Sequence, residues 1–236
     1  MLIAVLPFWL LFYTANIIVF PGMEKLIFLS VVVTAVGIVD DIAGKSNYKG
    51  FRGHFQQLFS GQLTTGLLKV FVTGAAVFLI VSAEYNIFRE GIVVFNRGQL
   101  QLIADFFVLL LWINFFNLLD LRPGRVIKLF YLVLLLLYFL FPVYSQFWQV
   151  LLPLIIILIP YLLLELKEVV MLGDSGAAFL GAVSGYALLS WNSLPGKLLL
   201  LLGLLVLTLL AEKYSFSKII AGNNILNWLD MLGRIK

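Results

Sequence analysis

Long uninterrupted apolar runs recur along the whole chain and decide what it can fold into. Stretches such as KLFYLVLLLLYFLF and GKLLLLLGLLVLTLLA are almost free of polar residues, and a helix needs about 20 apolar residues to cross the hydrocarbon of a bilayer. Of 236 residues, 62% are hydrophobic and 12% are charged, whereas soluble domains carry about 25% charged residues. A soluble interior has no room for this much apolar surface, so the sequence predicts a polytopic membrane protein.

The apolar runs predict an all-α transmembrane bundle of about eight spans, forming one integral membrane domain over residues 1–236. The runs are continuous and Leu-rich, without the alternating pattern of barrel strands. The first run leads into further spans and has no basic segment before it, which favours a transmembrane helix over a cleaved signal peptide. The eight predicted spans are 2–20, 25–39, 62–82, 101–119, 126–143, 148–165, 176–192 and 197–212.

Lysine and arginine are distributed unequally between the two sides that eight spans create. One side holds loops 40–61, 120–125 and 166–175 and a tail, 213–236, whose mixed aromatic and basic residues predict an interfacial helix. Near that side lie eleven basic residues: Lys45, Lys49, Arg52, Arg122, Arg125, Lys128, Lys167, Lys213, Lys218, Arg234 and Lys236. Near the other lie four: Lys25, Arg89, Arg97 and Lys197. By the positive-inside rule, the first side and both termini are predicted to be cytoplasmic.

The residue types that the chain lacks exclude several kinds of site chemistry. The chain has no cysteine and a single histidine, His54, so thiolate chemistry, disulfides and multi-histidine metal sites are excluded. The net charge of +4 suits contact with anionic head groups or anionic substrates. No nucleic-acid partner is predicted.

Two adjacent carboxylates end the second apolar run. Asp40 and Asp41 fall at a helix C-terminus, where the helix dipole disfavours negative charge by a few tenths to about 1 kcal/mol each. A compensating positive group is therefore expected, either a nearby cation such as Lys45, Lys49 or Arg52 or a divalent metal. Oxygen ligands without Cys or His favour magnesium or manganese. A solvated loop start is the alternative.

A second polar group lies in INFFNLLDLRPGR. Asn114, Asn117 and Asp120 recur every three residues, which places them on one stripe of a helix. Amides inside a span are costly without partners and indicate a functional site, or else an interhelical hydrogen bond. Arg122 and Arg125 flank a Pro-Gly turn and suit either phosphate binding or anchoring at the membrane surface.

The third group is MLGDSGAAFLG. Asp174 and Ser175 precede an apolar helix, which is typical of N-capping. Glycines at a helix start also let backbone N–H groups approach an anion, with Asp174 reaching a shared metal. All three Asp-bearing groups fall on the predicted cytoplasmic side. If Asp40, Asp41, Asp120 and Asp174 converge there, magnesium with a bound phosphate is the expected reason. Lys69, inside a span, is expected to snorkel or to pair with a carboxylate.

GIVDD, NFFNLLD and MLGDSGAAFLG together resemble the polyprenyl-phosphate N-acetylhexosamine-1-phosphate transferases, the superfamily of MurNAc-pentapeptide phosphotransferase and of undecaprenyl-phosphate GlcNAc-1-phosphate transferases. The resemblance covers about residues 30 to 190. It implies a magnesium-dependent enzyme of the bacterial plasma membrane that moves a sugar-1-phosphate from a UDP-sugar to a polyprenyl phosphate and releases UMP.

The resemblance also implies residue roles. Asp40 and Asp41 look like the paired catalytic aspartates and Asp120 like the nucleotide-side aspartate. Asn114 and Asn117 belong to the same motif, and Asp174, with Asp41, is similar to the magnesium ligand.

The chain departs from this family in several segments. The family usually has about ten spans, a Pro-Gly-Gly loop and a histidine-rich loop, none of which this sequence contains. LRPGR follows Asp120 in place of Gly-x-Asp-Gly. The family's catalytic lysine aligns near Gln56, with Lys49 or Lys45 as the nearest substitutes. Lys49 is therefore a predicted phosphate contact, together with Arg122 and Arg125.

Three classes of function are compatible with these sequence features. The first is the phosphoglycosyl-transferase. The second is a non-catalytic relative that binds polyprenyl lipid or serves as a scaffold. A transporter fits less well, because transport sites lie near mid-bilayer and these polar residues cluster at one rim. Small-residue helix faces are compatible with a homodimer.

Overall fold

A computed structural model of the chain describes residues 2–15, 20, 22–43, 64–85, 97–140 and 145–234. Regular structure in these ranges is entirely helical, which confirms the predicted class. The helices are α1 (Leu2–Thr14), α2 (Met23–Ala43), α3 (Thr65–Glu84), α4 (Arg97–Leu119), α5 (Arg125–Leu140), α6 (Ser145–Leu166), α7 (Gly173–Leu188), α8 (Leu194–Lys213), α9 (Phe216–Gly222) and α10 (Asn224–Met231).

Each of the eight predicted spans coincides with one of the helices α1 to α8. Five of these, α2, α3, α4, α6 and α8, are long and apolar enough to cross a membrane. The other three, α1, α5 and α7, have 13, 16 and 16 residues. The total of eight spans and the side on which each loop lies stay predictions. Large apolar side chains such as Phe139 and Leu199 point outward, as expected of surfaces that meet lipid.

Helix α7 is the centre of the bundle. Its residues from Gly176 to Leu188 are all buried, and it packs against α2, α4 and α5. Glycines permit this, because a Cβ on Gly181 would lie 3.0 Å from the Cα of Ile113 on α4. In lipid, helices associate through such close packing of small residues rather than through the hydrophobic effect. The small-residue composition of α7 therefore fixes where its N-terminus lies.

The C-terminal segment forms the two short helices α9 and α10. On α10 the apolar side chains of Ile225, Trp228 and Leu229 are exposed, whereas Asp230 on the same helix is buried. One face is thus apolar and open while the other packs on the protein, an arrangement that agrees with the predicted interfacial helix.

Candidate active site

The carboxylate of Asp41 lies at the N-terminus of α7. It accepts hydrogen bonds from the backbone N–H of Asp174 and of Ser175, both at 3.2 Å. These are N–H groups that a helix start leaves without an intrahelical partner. Asp41 is disfavoured by the dipole of its own helix, but the positive end of α7 stabilises it. The position of this carboxylate is thus explained by a second helix, 133 residues away in sequence.

The prediction that Asp174 or Ser175 caps its own helix is wrong. Helix α7 begins at Gly173, so both residues lie inside its first turn. The N-cap residue is Leu172, which makes no side-chain capping hydrogen bond. Because Asp41 supplies the cap from α2, the side chain of Asp174 is left to contact other groups.

Gly37 lets α2 approach α7 closely enough for this contact. A Cβ at position 37 would lie 2.4 Å from the Cα and 2.8 Å from the backbone nitrogen of Ser175. Real Cβ atoms do not come this close to backbone atoms. Gly37 lies one helical turn before Asp41, so the glycine brings together the two segments that the carboxylate joins.

The ammonium group of Lys69 lies between two of the predicted aspartates. Its Nζ is 2.5 Å from Oδ2 of Asp174 and 3.7 Å from Oδ2 of Asp40. The Lys69 side chain is 14% exposed, so solvent screens these pairs less than it screens a surface ion pair. The expected pairing of Lys69 with a carboxylate is confirmed, and Lys69 is a positive group that compensates Asp40.

Asp120 joins the same cluster from the turn that follows α4. Its carboxylate is buried and accepts a hydrogen bond from the backbone N–H of Gly173. Burial, helped by the negative charges of Glu165, Asp174 and Asp41, raises the pKa of Asp120 to about 7. Asp40, Asp41, Asp120 and Asp174 therefore converge around the start of α7.

A buried carboxylate on α6 supports the turn that carries Asp120. Glu165 is 1% exposed, and its Oε2 accepts a hydrogen bond from the backbone N–H of Gly124 at 2.8 Å. Gly124 has a φ of +77°, which disfavours other residues there. In the sequence, Glu165 is an acid at the end of an apolar run, and it was not among the predicted site residues.

Asp120 makes folding sensitive to pH. Its pKa of about 7 in the folded chain is above its ordinary value of 3.8. Between these values the folded state keeps a proton that the unfolded state has released, so stability is greatest below the ordinary value and declines towards pH 7. With EDTA present, we expect the melting temperature to fall less steeply from about pH 5 to about pH 8 in Asp120→Asn than in the native chain. Equal slopes would contradict this origin of the pH dependence.

Asn114 and Asn117 line a cavity of about 260 Å³ beside the cluster, together with Lys69 and Asp174. The Nδ2 of Asn114 and the Oδ1 of Asn117 are buried and have no hydrogen-bond partner among the described residues. A buried polar atom without a partner costs about 1–3 kcal/mol. Neither atom takes part in the interhelical hydrogen bond that was the alternative prediction, and both residues line the cavity.

Arg122 and Arg125 lie at a different carboxylate, Asp230 of α10. Arg125 binds it with two nitrogens, Nε at 2.7 Å and Nη2 at 3.1 Å. Arg122 makes one longer contact, Nη1 to Oδ2 at 3.4 Å. Burial raises the pKa of Asp230, but the hydrogen bond and charge of Arg125 and the charge of Arg234 outweigh burial and hold it below its ordinary range. Both predicted phosphate contacts thus anchor the C-terminal helix, with Arg122 partly exposed.

The remaining predicted phosphate contact, Lys49, lies outside the described residues, as do Lys45, Arg52, His54 and Gln56. Within the described parts of the chain, no three Asp, Glu, His or Cys side chains are grouped so as to hold a metal ion. Magnesium often binds through one or two carboxylates plus water and substrate phosphate. Asp174 and Asp41, with Asn117 lining the same cavity as Asp174, fit an ion shared with a phosphate substrate rather than a closed protein cage.

Comparison with known proteins adds no relative: no protein-family profile, curated protein or solved structure matches this chain.

Proposed function

We propose that the chain transfers a sugar-1-phosphate from a UDP-activated amino sugar to a polyprenyl phosphate at the cytoplasmic face of a bacterial plasma membrane, releasing UMP. One observation carries this proposal. Carboxylates from three separate segments meet at the N-terminus of α7, next to Lys69 and a cavity with two unpartnered amide atoms. Such a set of charges and hydrogen-bonding groups suits a diphosphate substrate.

The reaction forms one bond and breaks one. A phosphate oxygen of the lipid carrier attacks the β-phosphorus of the nucleotide sugar. The bond from the β-phosphorus to the bridging oxygen breaks, and that oxygen leaves on UMP with the electron pair. Because a phosphate is already largely ionised near neutral pH, the nucleophile needs positioning more than it needs a strong base.

The residues at the start of α7 position the substrates and compensate the charge of their phosphates. Magnesium, or manganese, held by Asp174 and Asp41 together with the diphosphate, would supply neutralisation of the charge that develops on the leaving UMP. Lys69 contacts a phosphate oxygen from the floor of the cavity, and Asp40 keeps its ammonium in place. The backbone N–H groups at the start of α7 hold the carboxylates of Asp41 and Asp120 beside the same phosphates.

The groups around the cluster orient the substrates. Asn114 and Asn117 offer the cavity a donor and an acceptor for the nucleotide sugar. Asp120 is assigned to the nucleotide side of the site. Because its pKa is about 7, its protonated carboxyl donates a hydrogen bond to a phosphate oxygen there. Arg122, which is partly exposed, contacts phosphate from the rim, and Lys49 is a further proposed phosphate contact. Arg125 stays on Asp230 and holds the C-terminal helix against the turn that carries Asp120.

The proposal is tested by lipid-product formation. Purified protein in lipid nanodiscs receives undecaprenyl phosphate and tritiated UDP-GlcNAc, UDP-GalNAc or UDP-MurNAc-pentapeptide. We expect a labelled lipid with at least one of them, formed in magnesium or manganese and abolished by EDTA. Absence of product with all three nucleotide sugars, in protein that melts cooperatively, would overturn the proposal.

A non-catalytic protein that binds polyprenyl lipid is the second candidate. The contact of Lys69 with Asp174 favours it, because it compensates that carboxylate without a metal ion. Such a protein would bind undecaprenyl phosphate and leave every nucleotide sugar intact.

A further inference from the structure

A second polar cavity lies at the opposite end of the same helices. Its volume is about 470 Å³, within the range of about 300–1,000 Å³ typical of small-molecule sites. Lys25 on its wall is 15 residues before Asp40 on α2, which at 1.5 Å per residue is about 22 Å. Glu84 is likewise 15 residues beyond Lys69 on α3. The cavity is therefore separate from the aspartate cluster and from the proposed transfer reaction.

Two ion pairs lie at this cavity. Lys25 and Glu84 lie 3.0 Å apart, and Lys197 pairs with Asp105, both side chains almost fully buried. Each carboxylate also accepts a phenol hydrogen bond, Glu84 from Tyr186 at 2.9 Å and Asp105 from Tyr85 at 2.7 Å. Ionisable side chains inside membrane helices are costly and mark functional sites.

The pairing balances the charge of the cavity. Among the described residues that line the cavity or pair with its lining, two cations face two carboxylates, and each carboxylate has its partner. A charged ligand would either break a pair or leave its own charge without compensation. Breaking the buried pair of Asp105 and Lys197 is strongly unfavourable, whereas Lys25 and Glu84 are partly exposed. A neutral ligand that offers hydrogen bonds leaves both pairs intact.

The uncharged groups of the cavity show what such a ligand must offer. Gln101, which is half-buried, and Asn192, which is exposed, both line it with side-chain amides. Each amide has hydrogen-bond donors and an acceptor, and a ligand hydroxyl group can accept from the one and donate to the other. The rings of Phe20, Phe147 and Tyr186 pack on one another beside the cavity, with ring centroids 5.5 Å and 6.2 Å from that of Phe20. All three are almost fully buried, so they add only small apolar edges to its lining.

We propose that this second cavity binds a neutral carbohydrate, one or two sugar residues in size. Gln101 and Asn192 bind its hydroxyl groups, and Tyr85 and Tyr186 hold the carboxylates in place. With the predicted orientation of the chain, this site opens on the outer side of the membrane, away from the nucleotide-sugar pool.

The proposal is tested by saturation-transfer NMR on protein in lipid nanodiscs, prepared without glycoside detergent. The probes are glucose, N-acetylglucosamine and maltose at millimolar concentration. We expect transfer to at least one sugar, with affinity about tenfold weaker in the double variant Gln101→Ala/Asn192→Ala, since two amide hydrogen bonds are removed. Gln149→Ala, an exposed glutamine outside the cavity, is the matched control and should bind as the native chain does.

Any of four results would overturn the assignment. The first is no transfer to any of the three sugars. The second is equal affinity in the double variant and the native chain. The third is loss of sugar binding in Asp174→Asn, which would place the sugar at the aspartate cluster instead. Displacement of the sugar by phosphocholine would also count against it, because the balanced cavity should reject a charged head group. Failure of the transfer assay leaves these outcomes unaffected.

Discussion

An Asp174→Asn variant is expected to lose at least about a thousandfold in magnesium-dependent transfer, the scale at which charge stabilisation acts in phosphoryl transfer. The substitution removes the negative charge that Lys69 contacts at 2.5 Å and that we assign to magnesium. The fold should persist, because Lys69 keeps Asp40 as a second partner at 3.7 Å. The measurement is the initial rate of labelled lipid formation, with the melting temperature determined on the same sample.

The matched control for Asp174→Asn is Glu24→Gln. Glu24 is an exposed carboxylate in the first turn of α2, at the end of the bundle away from the cluster. It undergoes the same change from carboxylate to amide and should retain the native rate. Retention of more than about a tenth of the native rate by Asp174→Asn would exclude the assigned role. If that variant also binds undecaprenyl phosphate normally, the non-catalytic alternative gains support.

Gly37→Ala is expected to lower the stability of the folded chain more than Gly74→Ala does. The new Cβ would meet the Cα of Ser175 at 2.4 Å, and backbone atoms on both helices block its relief by side-chain rotation. Overpacking of this kind costs about 1–3 kcal/mol. Since α2 must move away from α7, Asp41 also loses its hydrogen bonds to the helix start, so transfer activity should fall along with the melting temperature.

Gly74→Ala provides the control for that substitution. Gly74 lies inside α3, and a Cβ added there meets no atom within 4 Å. Alanine favours a helix over glycine by up to about 1 kcal/mol, so this variant should melt at or above the native temperature. Equal melting temperatures for Gly37→Ala and Gly74→Ala would show that α2 and α7 are not in close contact.

The helices were predictable because bilayer spans demand long apolar runs that a sequence displays directly. Asp40 and Asp41 at the end of α2 followed from the same runs. Charge counting also grouped the three Asp-bearing segments at one end, and the structure brings their carboxylates together. What the sequence left open was which group compensates which charge. Lys69 and Asp174 are 105 residues apart, and local spacing carries no information on that pairing.

Asp230 shows a second reason for incomplete prediction. Arg122 and Arg125 flank a turn and have the chemistry of phosphate ligands, but a buried carboxylate on α10 takes them both. That helix returns to the turn through tertiary packing, which periodicity does not reveal. The buried pair of Asp105 and Lys197 was missed although a signal existed, since an aspartate within the apolar run IADFFVLLL is itself unusual in a span.

In the proposed reaction the β-phosphorus, not the sugar alone, moves to the lipid. The most direct measurement uses a UDP-sugar labelled with ³²P at the β-phosphate and with tritium in the sugar, supplied to the protein with undecaprenyl phosphate and magnesium. We predict that both labels enter the lipid fraction in equal amounts while unlabelled UMP appears in the aqueous phase. Tritium in the lipid with ³²P left on UDP would contradict the account, because it would show transfer of the sugar without its phosphate.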